Sequence, residues 1–469
     1  MNLGYSNYIS DEPGTFFYRG YGVDSHLSHW EFLLKQRKGP MQILVGFIPY
    51  TLVGNYSNEF AQRLPFALFS TGAIIIFYLL VYRLTSSKFA AFISAFLLAT
   101  NGLIAGYGRV AQYQNLNLFF SFSALYFFSF LRDKGLPIKT YLVKSLLGSL
   151  MFCLSFLSHW DALYILIPIL TLVVEYLLDK EQPDIAKAAL IFSNIILVLL
   201  ILSPFMIPYI SYQKGSPANM EYLNSIVGLG LPFSKRPDLG QFKLYNPFFT
   251  IWFYLVFGAI GLLKAKKHYL FAIWFIAVFV IFRFFVNYSG LHFYNIFIPL
   301  VVLVGIGVEK VIKKSPRKLK IPITALITLF LAFFFYQSYL LFVDPTTEYP
   351  MESENILGLK TKKYEHSDNI RHRTGFPHKR YWKEINEFIN EQNRLNGEDF
   401  GYITNEDRID GFYMDAEKSS SGGYYAIGIK RPLSLQYDYK FPQIKNKETV
   451  HKIEDAEGNT VVRIYRIEP

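Results

Sequence analysis

What most constrains this chain is a succession of apolar runs, each long enough to cross a bilayer. Lipid offers no partner to an unpaired peptide group, so a span takes about 20 predominantly apolar residues in a helix. Stretches such as Ala73 to Val81 and Ile191 to Leu202 carry no charge at all. Ten segments read as spans: 64–82, 89–106, 115–131, 142–158, 160–178, 186–210, 247–263, 269–285, 292–309 and 321–343. Mean hydropathy is +0.22 although the last quarter of the chain is polar, so the apolar residues are concentrated in these runs. The expected fold is an all-α polytopic membrane domain over residues 64–343. A first outer loop, 1–63, precedes it, and a small soluble α+β domain, 344–469, follows it. Pro204 and Pro208 are expected to kink the span that carries them.

Lys and Arg in the connections set the orientation. Alternate loops on one side, from Arg83 and Lys88 to the cluster at 310–320, hold 17 basic residues. The short connections on the other side hold 5. The first side is therefore expected to be cytoplasmic, which places the loop 211–246 and the tail outside. The net charge of +11 is absorbed by this topology and by anionic lipid, so no nucleic-acid partner is expected. The one cysteine, Cys153, excludes an internal disulfide and a multi-cysteine zinc site.

The N-terminal sixty residues admit two arrangements. Met41 to Gly54 is apolar but only 14 residues long. Lying along the interface, it leaves Asp11 and Glu12 outside. Spanning, it places them in the cytoplasm, where Lys35, Arg37 and Lys38 satisfy the positive-inside rule. In the tail, Tyr381 to Leu395 has helical periodicity, with Trp382, Ile385, Phe388 and Ile389 on one face and a stop at Asn396-Gly397. Strand patterns follow at Phe400 to Thr404, Tyr424 to Ile429, Leu433 to Tyr439 and Val461 to Ile467, with a hairpin turn at Glu457-Gly458-Asn459.

No Asp or Glu lies in the middle of a span; Asp161, Glu175 and Glu309 are all near ends. Ion-driven carriers place ionisable groups at mid-membrane depth, so the pattern argues against a transporter or flippase and for chemistry at one membrane face. The outer candidates are Asp11, Glu12, Lys38, Arg63, Arg109, His159, Asp161, Arg283 and His292. Adjacent carboxylates at Asp11-Glu12 repel, which raises one pKa toward that of a base. Cations at headgroup level suit a lipid-linked phosphate, although interfacial snorkelling explains Arg63, Arg109 and Arg283 equally well. His159 and Asp161 flank a tight turn, where a structural cap is the simpler role. His366, His372 and His378 recur every six residues, which matches neither a helical nor a strand ligand spacing; they are assigned to a solvated linker. No metal ligand is assigned and no cofactor is indicated by these residues; a divalent metal stays open.

A resemblance follows from the order of the motifs. Asp11-Glu12 precedes Lys38-Gly39-Pro40, then Glu59-Phe60-Ala61-Gln62-Arg63-Leu64-Pro65, then Gly106-Tyr107-Gly108-Arg109-Val110-Ala111. Gly290-Leu291-His292-Phe293-Tyr294 leads to Pro299 further on. This order resembles the GT-C membrane glycosyltransferases, in the branch of the protein O-mannosyltransferases and the lipid A aminoarabinose transferase. The resemblance covers residues 1 to about 310. It implies that the interfacial arrangement holds, that the first span of the family is missing from this sequence, and that the protein sits in the plasma (inner) membrane. It implies an inverting transfer from a polyprenyl-phosphate sugar to a protein, lipid or glycan. Asp11 would then be the base, with Glu12 orienting the acceptor or tuning Asp11. Lys38, Arg63, Arg109, Arg283 and His292 would hold the phosphate, with Tyr294, His159 and Asp161 as further candidates. Relatives often carry an acid after the position of Arg109; Gln112, Tyr113, Gln114 and Asn115 stand there instead. The main rival is a lipid-glycan transporter or flippase, which would need a polar path through the bilayer; a non-catalytic lipid-phosphate-binding protein is the third reading, and predicts that Asp11 is dispensable.

Overall fold

The computed structural model describes residues 3–8, 12, 28–36, 39–214, 239–263, 265–286, 290–345, 355–356, 358–362, 374–406, 409–419, 423–430, 447–455 and 458–468. Helices dominate: α1 (His29–Lys35), α2 (Pro40–Val53), α3 (Glu59–Thr85), α4 (Lys88–Thr100), α5 (Gly102–Tyr107), α6 (Tyr113–Phe128), α7 (Ile138–Ser158), α8 (Leu163–Leu178), α9 (Asp184–Lys214), α10 (Leu239–Tyr245), α11 (Thr250–Leu263), α12 (Tyr269–Phe284), α13 (Tyr294–Lys314) and α14 (Arg317–Phe342). Each of the ten expected spans falls on these helices. By length and composition six helical segments can cross a membrane, and α2, α4, α11 and α12 are shorter apolar helices. The chain is a polytopic helical membrane protein.

Burial sorts the helices. The apolar stretch of α13 is 83% buried, whereas those of α9 and α14 are 11% buried and present their side chains outward. Lipid tails are as apolar as leucine, so helices in a bilayer associate through close packing of small residues. The contact of α11 with α13 follows that rule. A Cβ on Gly261 would lie 1.9 Å from the Leu303 carbonyl oxygen, and one on Gly307 would lie 2.0 Å from that of Phe257. Only glycine permits this approach.

Two sequence expectations are refined. The expected span 89–106 breaks at Asn101, whose side chain accepts the N–H of Leu103 and starts α5 as a new helix. The segment Met41 to Gly54 is the helix α2, closed by Gly54 in the left-handed region (φ 80°). Helix α9 runs through both Pro204 and Pro208.

The C-terminal region is α+β, as expected. Helix α15 (Trp382–Asn396) buries Trp382, Ile385 and Ile389 and ends at Gly397 with φ 63°. Strands β1 (Gly401–Thr404), β2 (Tyr424–Ile429), β3 (Thr449–Glu454) and β4 (Thr460–Ile467) form a sheet in the order β1-β2-β4-β3. β1 and β2 are parallel and the other pairs antiparallel. Gly458, at φ 83°, turns β3 into β4, where Asp455 N–H bonds the Asn459 carbonyl. Strand β3 was not anticipated; its half-exposed alternation of Val450, His451, Lys452 and Ile453 is weakly apolar. The strand expected at Leu433 to Tyr439 lies outside the described residues.

Candidate functional site

The start of α3 gathers the N-terminal segment and the C-terminal domain on one face of the bundle. Asn58 caps α3 by accepting the N–H of Ala61. This orients Glu59 and Arg63 toward residues 3–8 and Glu12. Glu59 Oε1 accepts from Tyr413 Oη (2.8 Å) and Asn7 Nδ2 (3.1 Å), and its Oε2 lies 3.4 Å from Lys383 Nζ. His378 donates its backbone N–H to Ser6 Oγ, and Arg380 donates its own to Asn7 Oδ1. Tyr245 Oη bonds the Thr374 carbonyl.

Arg63 is the centre of this face. Its Nε and Nη2 take both oxygens of Glu12, each at 2.8 Å. Nη1 donates to the carbonyls of Leu3 (2.8 Å) and Ser6 (2.6 Å), and Nη2 to that of Asn7 (2.9 Å). All five N–H donors of the guanidinium are thereby committed within the chain. Arg63 is 2% exposed and Glu12 0%. The geometry therefore gives Arg63 to anchoring the N-terminal segment and leaves it no donor for a phosphate, which revises the role expected from sequence. Glu12 Oε1 also accepts the N–H of Ala111 (2.9 Å), so Glu12 is a fixed carboxylate wedged between two elements. Asp11, next to it, and Lys38 lie outside the described residues, as do His366 and His372.

From Ala111 the chain leads to a second cluster within a few residues. Arg109 is buried and donates to the Gly375 carbonyl at 2.7 Å. Burial first, then the nearby Arg63, push its pKa down to about 9. Gly375, at φ 90°, lies so close to Gly106 that a Cβ would meet its carbonyl oxygen at 2.2 Å. Asn115 Nδ2 donates to the carbonyls of Tyr107 and Val110 and holds the loop in shape. Tyr113 stacks on the His159 ring, with centroids 3.9 Å apart.

His159 and Asp161 stand in the single turn between α7 and α8. His159 Nδ1 accepts the N–H of Asp161 (3.1 Å), so the cap expected here is real and is made by the histidine. Asp161 does more than close a turn. Its Oδ2 is 2.8 Å from His292 Nδ1 and accepts from Tyr294 Oη (2.9 Å) and Asn295 Nδ2 (3.4 Å). Its Oδ1 is 3.2 Å from His159 Nδ1. The His159 and His292 rings are parallel, 5.2 Å apart. His159, Asp161 and His292 thus form a set of potential metal ligands, which the sequence did not suggest.

Arg283 ends α12 on this same face with its guanidinium over the Phe284 ring. Phe282, one residue earlier, stacks on Tyr164 of α8, three residues beyond Asp161. His378 is not a linker residue. It is buried, its Nδ1 is 3.1 Å from the Phe376 carbonyl, and burial first and Arg380 second hold its pKa well below the ordinary histidine value.

A bundle of long apolar helices with buried polar clusters toward one end defines the class: a polytopic helical membrane protein. The family model described as dolichyl-phosphate-mannose-protein mannosyltransferase matches residues 38–207. That segment runs from α2 into α9 and contains Arg63, Arg109, His159 and Asp161; over it the GT-C resemblance read from the sequence is borne out. Among solved structures, ArnT from Cupriavidus metallidurans in the apo state is similar, at 14% identity and a TM-score of 0.43, over 64% of this chain and 57% of that one. Its structure bound to undecaprenyl phosphate gives 16%, 0.43, 64% and 58%. The Archaeoglobus fulgidus oligosaccharyltransferase tethered with an acceptor peptide gives 17%, 0.44, 65% and 46%. The chain thus spans about half the length of these structures. No curated protein matches it.

Proposed function

We propose that this protein is an inverting glycosyltransferase that moves a sugar from a polyprenyl-phosphate donor to an acceptor hydroxyl at the extracytoplasmic face. The observation that carries the reading is the match of residues 38–207 to a family described by a dolichyl-phosphate sugar and a protein acceptor. The concentration of buried polar groups at the Glu12 face supports it.

In this mechanism Asp11 takes the proton from the acceptor hydroxyl. The acceptor oxygen forms a bond to the anomeric carbon on the side opposite the phosphate. The bond from that carbon to the phosphate oxygen breaks, and the electron pair leaves with the polyprenyl phosphate. A phosphate leaves without prior protonation, so one base and nearby cations suffice. Arg109, Lys38 and Arg283 are the cations assigned to the departing charge, with His292 as a further phosphate contact. Glu12, clamped by Arg63 and Ala111, is the neighbour of Asp11 in the chain and is assigned to positioning the base. The C-terminal domain, joined to the same face through Glu59, Asn7 and Arg109, roofs the site.

The test is Asp11→Asn in membranes supplied with a radiolabelled polyprenyl-phosphate sugar. Transfer is expected to fall about a hundredfold or more while lipid binding is retained. Transfer at the unmutated rate overturns the mechanism and favours a protein that only binds the carrier.

A further inference from the structure

The turn between α7 and α8 carries a carboxylate that the proposed transfer does not use as a base, and its surroundings have an uneven balance of donors. Three groups face Oδ2 of Asp161: Tyr294 Oη, His292 Nδ1 and Asn295 Nδ2. Oδ1 is equally buried and receives no N–H or O–H. The atom facing it at 3.2 Å is His159 Nδ1. That nitrogen accepts the N–H of Asp161, which marks it as the unprotonated nitrogen of its ring. Two lone-pair atoms therefore face each other where water does not reach. A buried acceptor without a donor is destabilising, and a cation between the two atoms removes that penalty.

We infer that His159, Asp161 and His292 bind a divalent transition-metal ion. One donor atom from each lies within 4.8 Å of the others. Ligands on a tetrahedral zinc with bonds of about 2.1 Å lie roughly 3.4 Å apart, so the set closes on an ion by side-chain shifts of under about an ångström. Two imidazoles and one carboxylate select Zn²⁺, Mn²⁺, Fe²⁺ or Co²⁺ over Mg²⁺ or Ca²⁺, which prefer oxygen throughout.

The supporting shell is present as well. Tyr294 and Asn295 hold Oδ2, Tyr113 packs flat on His159, and Asn117 Nδ2 bonds the His159 carbonyl at 3.1 Å. Such outer contacts orient ligands and are part of most metal sites. Buried His159 and Asp161 form the closed side of the site. His292, with 23% of its side chain exposed, forms the open side, where an oxygen of water or of a phosphate completes the coordination. The neutral residues Gln112 to Asn115 carry no carboxylate for this purpose, and Asp161 is the carboxylate of the set among the described residues.

The test uses the full chain, purified in detergent with an affinity tag that contains no histidine. The protein is stripped with a chelator, incubated separately with Zn²⁺, Mn²⁺ or Co²⁺, and desalted, and the metal is counted by mass spectrometry. The expected result is one ion per chain, with Co²⁺ giving visible bands of a nitrogen-and-oxygen ligand field. His159→Ala, Asp161→Asn and His292→Ala are each expected to lower retention about tenfold or more, and Tyr294→Phe less. His292 is partly exposed, so its variant keeps the fold even if Asp161→Asn does not. An unmutated chain that retains no ion, or a His292→Ala chain that retains as much as the unmutated one, overturns the inference. The readout is metal content, so it stands or falls separately from sugar transfer by Asp11.

Discussion

The two ends of the helical bundle treat charge differently. At the Glu12 face, Arg63 and Glu12 are sealed from solvent and every donor of the guanidinium is used. At the opposite face, Arg132 and Glu175 form an equally good two-pronged pair at 2.7 and 2.8 Å, but both side chains are about a quarter exposed. Lys134 and Glu181, nearby, are mostly in solvent at 3.5 Å. Removing two charges from water costs several kcal/mol per ion, which the pair's attraction recovers only when all remaining hydrogen bonds are made. The Glu12 face meets that condition by drawing in three backbone carbonyls from residues 3–7. The opposite face never incurs the cost. Charge there stays at the solvent-exposed surface; charge at the Glu12 face fixes the position of specific atoms.

Removing one partner from each pair exposes this difference, and the largest effect is expected at Arg63. Arg63→Ala leaves Glu12 buried beside the Ala111 N–H and frees three carbonyls. A loss of about 3–5 kcal/mol is expected. Arg132→Ala is expected to cost about 1 kcal/mol or less, because Glu175 can turn to water. Denaturation of both variants in the same detergent measures the two losses side by side. Similar losses would end the distinction between the faces.

The helices were legible because a bilayer demands long apolar runs, and each of the ten runs became helix. The break at Asn101 was not, since it depends on one side chain capping the next helix. The polar clusters were half legible. Their members could be named one by one, because charged and aromatic residues at span ends are few. Their partners could not, because Glu12 and Arg63 are 51 residues apart and Asp161 and His292 are 131 apart. Sequence spacing is blind to such pairs. It assigned Arg63 to a phosphate when a carboxylate 51 residues earlier already holds it, and it left His378 in a linker. Nothing in the run Gly375-Phe376-Pro377-His378 reveals that this stretch packs against Gly106 and Ser6.

Acid titration sharpens the comparison. His378, on the Glu12 face, has its pKa depressed by burial first, then Arg380, with Arg63 and Arg109 adding to it. His268, on the opposite face, is also depressed by burial, but Glu309 opposes the shift. A histidine held neutral in the fold binds its proton only on unfolding. Its contribution is complete above the unfolded pKa of about 6.5 and is lost as pH falls below it, at up to about 1.4 kcal/mol per pH unit. Thermal unfolding between pH 7.5 and 5 is therefore expected to show a steeper loss in the unmutated chain than in His378→Asn. His268→Asn is expected to change the slope less. A slope unchanged by His378→Asn would mean that this ring gains its proton without unfolding and that the C-terminal segment lifts off first.

The smallest effect is expected where the sequence places the most charge. Lys134→Ala removes one member of a pair whose side chains are 74% and 66% exposed. Such a contact is screened by salt and requires two long side chains to give up their freedom, so it is worth roughly 0–1 kcal/mol. Denaturation of this variant is expected to overlay that of the unmutated chain within about 0.5 kcal/mol. Its effect should instead appear in topology, and there weakly, because the topology expected from sequence puts 17 basic residues on that side. A loss as large as that of Arg63→Ala would mean that the Lys134 connection is packed against a partner, and that this face, too, uses charge to hold geometry.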